Sequence, residues 1–185
     1  MRKFLVIGAI LNLFFLSAYA QEDGNSLKGM SFKDRAFTGG NLGLSFGTIT
    51  NIYLAPVLGY RVTPRMAAGV GVIYQYVKDT RYNPDLSYSS YGFNIFSRYA
   101  IYGPLFVQAE YEYLNYEYFP FIGSAETART GFNSVFLGGG LAQPMGKNAA
   151  VILSAFYNVT YQGNSQPPPP YSSPWVVRVG ITAGF

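Results

Sequence analysis

Apolar and polar residues alternate along most of this chain, and most clearly at its end. Every second residue from Trp175 to Phe185 is apolar. The residues between them are Val176, Arg178, Gly180, Thr182 and Gly184. Because successive side chains of a β-strand point to opposite faces, this period of two predicts a strand with one apolar face. No helical stripe competes with it after residue 20, so the pattern predicts an all-β protein.

Eight segments alternate in this way, and clusters of Gly, Pro, Asn and Asp separate them. Many exceed the length of about five or six residues that is typical of strands in soluble sheets. They reach the roughly 9–11 residues that a tilted strand needs to cross a bilayer. The predicted strands lie at residues 37–47, 50–61, 65–78, 88–101, 104–118, 129–143, 148–161 and 174–185.

The connections between these strands alternate in length after a first short one at 47–51. The tight connections lie at 61–65, 102–104 and 143–148, and the long ones at 79–88, 119–130 and 162–174. Antiparallel strands joined in this order have all tight turns at one end and the long loops at the other. That arrangement is typical of outer-membrane barrels, which have short periplasmic turns and longer extracellular loops. We therefore expect an eight-stranded, antiparallel, up-and-down transmembrane barrel.

One face of the predicted strands is apolar or aromatic and carries no charge. A lipid-facing surface requires this, because a Lys or Arg at mid-bilayer costs about 2–4 kcal/mol. This face includes Leu42, Leu44, Leu54, Leu58, Val70, Val72, Phe93, Ile95, Leu105, Val107, Val135, Leu137, Leu141, Val151, Leu153, Val177 and Val179. Aromatic residues gather near the strand ends, as in the girdles of membrane barrels. They are Tyr74, Tyr76, Tyr113, Tyr116, Tyr118, Phe119, Tyr161 and Trp175 at the loop end, and Tyr60, Tyr99, Tyr102 and Phe185 at the turn end.

The opposite face combines polar residues with glycines. A barrel of about eight strands is just wide enough for side chains to fill its interior, and this mixture suits such a lumen. Its polar members are Asn41, Ser45, Gln75, Asn94, Arg98, Gln108, Glu110, Glu112, Asn158, Arg178 and Thr182. A soluble sandwich would carry more Lys and Glu on this face. Phe136, Ile152 and Phe156 also fall on the inward parity, so a bulge or a phase error is an alternative in the sixth and seventh strands.

The first 20 residues have the form of an export signal. Arg2 and Lys3 precede an apolar run, and the segment ends in Ala18-Tyr19-Ala20, a small-residue cleavage site. The run is shorter than the roughly 20 residues that would span a bilayer. We expect residues 1–20 to be a cleaved signal peptide, 21–35 a polar, mobile periplasmic lead-in, and 36–185 the barrel.

Composition excludes several classes of chemistry. The sequence has no cysteine and no histidine, so it lacks disulfides, thiolate metal ligands and the commonest general base. We expect no metal and no cofactor.

The charge content is low. Charged residues make up 12%, against about a quarter in typical soluble domains. Without Arg2 and Lys3, the chain has 11 basic and 9 acidic residues, so it is nearly neutral. It has no basic stripe of the kind that predicts nucleic-acid binding.

Glu110 and Glu112 are the candidates for chemistry, because residues two apart on one strand point to the same side. Two carboxylates could form a glycosidase pair. They could also be counter-ions of Arg98, which the 102–104 turn brings opposite them, and of Arg178. Since a buried carboxylate without a partner is costly, we favour a paired internal network over catalysis.

With these features the chain resembles the small outer-membrane barrels of Gram-negative bacteria, the OmpX and OmpA transmembrane type. In that family a C-terminal aromatic residue with apolar residues at alternate positions before it is a signal for the barrel-assembly machinery. Phe185, Ala183, Ile181, Val179 and Val177 match that signal. The Gln21 start and the Tyr-rich strands are similar to Bacteroidetes versions. Membrane-barrel enzymes of the deacylase and palmitoyltransferase type use a histidine, which this chain lacks.

The resemblance implies a monomeric, non-catalytic barrel in the bacterial outer membrane, surrounded by lipid and lipopolysaccharide. Its expected role is envelope support or surface contact with an envelope or extracellular protein through the long loops. Two alternatives stay open. One is a transport or ligand-binding barrel for a small apolar molecule, lined by Phe136, Ile152 and Phe156. The other is an accessory protein of secretion or assembly.

Overall fold

The computed structural model describes residues 27, 31–81, 85–119, 127–146, 148–165, 167 and 169–184. The predicted signal peptide, most of the predicted lead-in and Phe185 lie outside the described residues. The described elements are α1 Phe32–Arg35, β1 Ala36–Ser45, β2 Ile49–Arg61, β3 Met66–Asp79, β4 Leu86–Tyr102, β5 Leu105–Tyr118, β6 Ala128–Met145, β7 Ala149–Asn158 and β8 Trp175–Ala183. In this part of the chain, no helix is long and apolar enough to cross a membrane.

The strands form one closed barrel. Each strand pairs in antiparallel fashion with the next along the chain, and β8 pairs with β1. This confirms the prediction of an eight-stranded up-and-down barrel. The observed strand ends lie within three residues of the predicted ones.

The short connections 62–65, 103–104 and 146–148 lie at one end of the barrel, which we call the turn end. Gly103 has φ 53° and Gly146 has φ 73°, values that favour glycine and allow these tight reversals. The longer connections, 80–85, 119–127 and 159–174, lie at the opposite end, which we call the loop end, together with the short connection 46–48. The strand order therefore separates turns from loops as the spacing predicts.

Strand parity divides the barrel into two surfaces. Leu58 pairs with Val70 and Val70 pairs with Ile95, and their side chains are 66%, 54% and 52% exposed on the outside. On the other side of the barrel, Leu141 pairs with Leu153 and Leu153 with Val179, all exposed. We call this continuous outward apolar surface the apolar belt. The buried residues of the protein lie on the other parity, inside the lumen.

The alternative of a bulge or a phase error in the sixth and seventh strands is wrong. Neither the β6–β7 nor the β7–β8 register shifts, and Phe136, Ile152 and Phe156 point inward and are buried. The lumen is therefore partly aromatic. A register shift occurs instead between Ala100 and Tyr102, in the β4–β5 pair.

Three other expectations need correction. Tyr116 is not part of an outer girdle: it has the inward parity of Glu110 and Glu112 and is 5% exposed. Ser45 was expected in the lumen, but it is the last residue of β1 and its side chain is exposed. The last four residues of the expected mobile lead-in form the turn α1, whose Phe32 ring stacks on Tyr60 at 4.9 Å.

Candidate functional site

The centre of the lumen holds a buried ion cluster formed by Glu110, Glu112 and Arg178. Strand β5 directs both carboxylates inward, because they stand two residues apart. Arg178 Nη1 donates to Glu110 Oε1 at 2.6 Å, and its Nη2 donates to Glu112 Oε2 at 3.4 Å. All three side chains are at least nine-tenths buried. One guanidinium therefore bridges two carboxylates that would otherwise repel each other in a medium of low polarity.

Aromatic rings surround the guanidinium of Arg178. The ring of Phe136 on β6 lies 5.0 Å from the Arg178 guanidinium carbon, and the ring of Phe156 on β7 lies 5.1 Å from it. Phe136 and Phe156 are 0% and 2% exposed. These rings exclude water and add a cation–π attraction, so they strengthen the ion pairs of the same guanidinium.

Arg98 is not the direct partner of the carboxylates that the sequence suggested. Its Nε donates to Gln108 Oε1 at 2.9 Å, and Gln108 in turn donates to Glu110 Oε2 at 2.9 Å. The guanidinium lies 4.4 Å from the Phe106 ring. Arg98 is thus linked to the ion cluster through an amide, and Arg178 makes the ion pairs. Register explains this, because Arg98 pairs with Gln108, whereas Glu110 and Glu112 lie deeper along β5.

The other predicted lumen residues, Asn94, Gln75 and Asn41, lie at different depths along the lumen. Asn94 donates from Nδ2 to Glu110 Oε1 at 3.0 Å, and its buried Oδ1 accepts no hydrogen bond within the described residues. Gln75 donates to Asn51 Oδ1 at 3.2 Å, nearer the loop end. Asn41 on β1 pairs with Gly180 of β8 across the closing strand pair and lines a small cavity there.

The residues of the predicted assembly signal have a different position. Val179, Ile181 and Ala183 lie on the outer face of β8 and are exposed, and Phe185 lies outside the described residues. They contribute to the apolar belt and do not contact the lumen network.

Tyr171 is the residue that sequence reasoning missed. It belongs to the connection between β7 and β8, yet its hydroxyl donates to Glu112 Oε1. Its ring packs edge-on against Phe136, with centroids 5.4 Å apart. Burial raises the pKa of the Tyr171 phenol well above its usual value, so the group stays a donor. The long loop thus reaches down the lumen and completes the hydrogen bonding of a buried carboxylate.

Two cavities lie on opposite sides of Arg178. A cavity of about 40 Å³ on the turn-end side is lined by Asn94, Arg98 and Gln108, and it has room for one or a few waters. A cavity of about 300 Å³ on the loop-end side lies under Pro170 and Tyr171. We call the second one the loop-end chamber.

The chemistry available to the ion cluster is limited by its own bonds. Both carboxylates are held by Arg178, and Glu112 also accepts from Tyr171. In the described residues, no group of three or more His, Cys, Asp or Glu side chains is placed to hold a metal ion. The arrangement is suited to closing and stiffening the lumen.

The fold and this interior define a closed eight-stranded barrel with an apolar outside and a lumen in which packed side chains lie between two cavities. No protein-family model matches the chain. No curated protein matches it either. Among solved structures, it is similar to the N-terminal β-barrel domain of OprF from Pseudomonas aeruginosa, with 13% identity and a TM-score of 0.46, over 80% of this chain and 96% of that one. The closed barrel is established independently by its own strand pairing.

Proposed function

We propose that this chain is a non-catalytic barrel of the bacterial outer membrane, with a lumen closed by its own side chains. The observation that carries the proposal is the apolar belt. Every strand contributes exposed aliphatic side chains to it, as Leu42, Leu153 and Val179 illustrate. Exposed apolar surface on this scale needs a partner, and a surface that encircles a barrel fits hydrocarbon.

The distribution of charge supports the same conclusion. Within the described strands, the charged residues of outward parity are Lys78, Glu117 and Arg129, and all three lie at the loop end. The other charges near mid-strand point inward, where they are paired or hydrogen-bonded. A bilayer excludes charge from its hydrocarbon layer, whereas a water-facing sheet has no reason to do so.

The role that best fits a closed lumen is support of the envelope or contact at the surface through the loops. The barrel would be a monomer surrounded by lipid and lipopolysaccharide. The barrel-assembly machinery would recognise the end of β8. An envelope or extracellular protein is the partner class that the loops would meet. The expectations of a Bacteroidetes source and of a cleaved signal peptide at 1–20 belong to the same proposal.

Adjacent residues of opposite parity allow a direct test of membrane location. The chain has a single tryptophan, so the background variant is Trp175→Phe. On it, Ile95→Trp places the fluorophore in the apolar belt, and Phe96→Trp places it in the lumen. In vesicles of bromine-labelled lipid, we expect strong quenching of the Ile95→Trp variant and little quenching of the Phe96→Trp variant.

A gel assay on unheated and boiled samples verifies that both variants are folded. Equal quenching of the two tryptophans would contradict the two-sided barrel. Quenching of neither, in folded protein recovered with the vesicles, would contradict a membrane-spanning position.

A further inference from the structure

The loop-end chamber is lined by neutral polar groups and by rings. Tyr53, Gln75, Tyr88 and Ser90 come from β2, β3 and β4, and the parity of each directs its side chain inward. Tyrosine rings and the aliphatic side chains of Ile73, Leu114 and Val176 form the rest of the wall. A cavity of about 300 Å³ whose wall combines apolar surface with several convergent polar groups has the form of a small-molecule site.

Several of these polar groups have hydrogen-bonding capacity to spare. Gln75 uses its amide nitrogen on Asn51, which leaves its carbonyl oxygen as an acceptor. Within the described residues, the hydroxyls of Tyr53, Tyr88 and Ser90 have no hydrogen-bond partner. These groups line the open space of the chamber, where an occupant that both donates and accepts would find partners in them.

Two charged residues, Glu117 and Arg178, also line the chamber, and their charges are already balanced, because Arg98, linked through Gln108, adds a second cation to the two carboxylates of the ion cluster. Arg178 at the floor is held by Glu110 and Glu112, and Glu117 at the rim pairs with Arg129 at 2.9 Å. A charged ligand would lose its hydration and gain no free counter-charge, which is unfavourable. A neutral ligand with hydroxyl groups would instead exchange water hydrogen bonds for the free groups of the wall.

We infer that the loop-end chamber is a binding site for a small neutral molecule rich in hydroxyl groups, of about monosaccharide size. Its volume is at the lower end of the range for ligand pockets, roughly 300–1,000 Å³, which suits a single sugar ring. The flat carbon face of such a ring packs against tyrosine, and its hydroxyls meet the amide and phenol groups. This site differs from the apolar one expected at Phe136, Ile152 and Phe156, where Phe136 and Phe156 are fully packed.

The ligand would enter from the loop end. Pro170 and Tyr171 form part of the chamber wall, and they belong to the connection between β7 and β8. The ion cluster forms the floor, so binding does not require passage through the barrel. The inference therefore goes beyond the proposed structural role and is compatible with a closed lumen.

The test uses the folded full-length barrel in detergent micelles and ligand-observed saturation-transfer NMR. The neutral probes are methyl glucoside, methyl galactoside and N-acetylglucosamine, and the charged probes of similar size are glucosamine and glucuronate. The site variant combines Tyr53→Phe with Tyr88→Phe, which removes two hydroxyls without changing the rings. The matched control combines Tyr74→Phe with Tyr91→Phe, two exposed tyrosines of the outer face.

We expect at least one neutral probe to bind and the charged probes to bind more weakly. The site variant should lose about 25-fold in affinity, since it removes two hydrogen bonds and each neutral one contributes about fivefold. The control variant should bind as the unmodified protein does. Binding of none of the neutral probes, stronger binding of a charged probe, or equal loss in both variants would each overturn the inference.

Discussion

Arg178 is the residue on which the interior depends most. Its guanidinium touches both buried carboxylates and two aromatic rings, and it lies between the two cavities. Removing one partner of a buried ion pair leaves the other charge without compensation, which costs more than the pair itself contributed. Arg98 differs, because its bonded partner is the neutral amide of Gln108.

Arg178→Met should therefore lower the free energy of unfolding by about 3–5 kcal/mol, since two carboxylates lose their cation. Arg98→Met should lose about 1–2 kcal/mol, the contribution of one charge-assisted hydrogen bond in a half-buried site. Urea unfolding in lipid vesicles measures both losses of stability.

Arg129 is unsuitable as a control whose replacement leaves stability unchanged, because it binds Glu117, Asn115 and Ser89. A loss for Arg98→Met as large as that for Arg178→Met would refute this assignment of partners.

At the scale of elements, the contact between β1 and β8 is the shortest of the barrel within the described residues. It pairs Thr38–Asn41 with Gly180–Ala183, whereas the other strand pairs run much further. Glycine allows this close approach. A Cβ atom at Gly39 would overlap the Ile181 carbonyl and the Thr182 backbone, but one at Gly43 would meet only Tyr53 side-chain atoms, at 3.4 and 4.0 Å.

Gly39→Ala should consequently destabilise the protein by about 1–3 kcal/mol, through overlap with a backbone that cannot move away without opening the β1–β8 contact. Gly43→Ala, on the same strand and the same face, is the control and should change stability little. Urea unfolding gives the free energies, and amide hydrogen exchange at Ile181 and Thr182 locates the effect. Unchanged exchange there in the Gly39→Ala variant would show that the contact tolerates a side chain.

The strands and their inward faces could be predicted because the period of two is a local property of the sequence. The same parity identifies Phe136, Phe156 and Tyr116 as lumen residues, although their apolar character suggested otherwise. The contact of Tyr171 with Glu112 could not be predicted, since it joins residues 59 apart and depends on how a proline-rich loop folds back. That Arg178, rather than Arg98, forms the ion pairs with the two carboxylates likewise could not be predicted without the register of β5 against β4.

At the scale of the whole molecule, the lumen is a stack of layers. The loop-end chamber lies under Tyr171, the ion cluster and its phenylalanines come next, and the small cavity beside Arg98 follows toward the turn end. Water and ions could fill the two cavities, but the side chains of the layer between them are buried, since Phe136, Glu112 and Asn158 are at most 1% exposed. We therefore expect the middle layer, rather than the loop, to close the barrel.

We expect the reconstituted protein to carry no steady ionic current across a planar bilayer, and we expect the Tyr171→Ala variant to behave in the same way. Removing the Tyr171 ring deepens the loop-end chamber but leaves Arg178 bonded to both carboxylates and packed against Phe136 and Phe156. Single-channel recording measures the current, and gramicidin added to the same bilayer controls for sensitivity. Steady conductance of the unmodified barrel would contradict a closed lumen. Conductance of the Tyr171→Ala variant alone would place the closure in the 159–174 connection instead of the ion cluster.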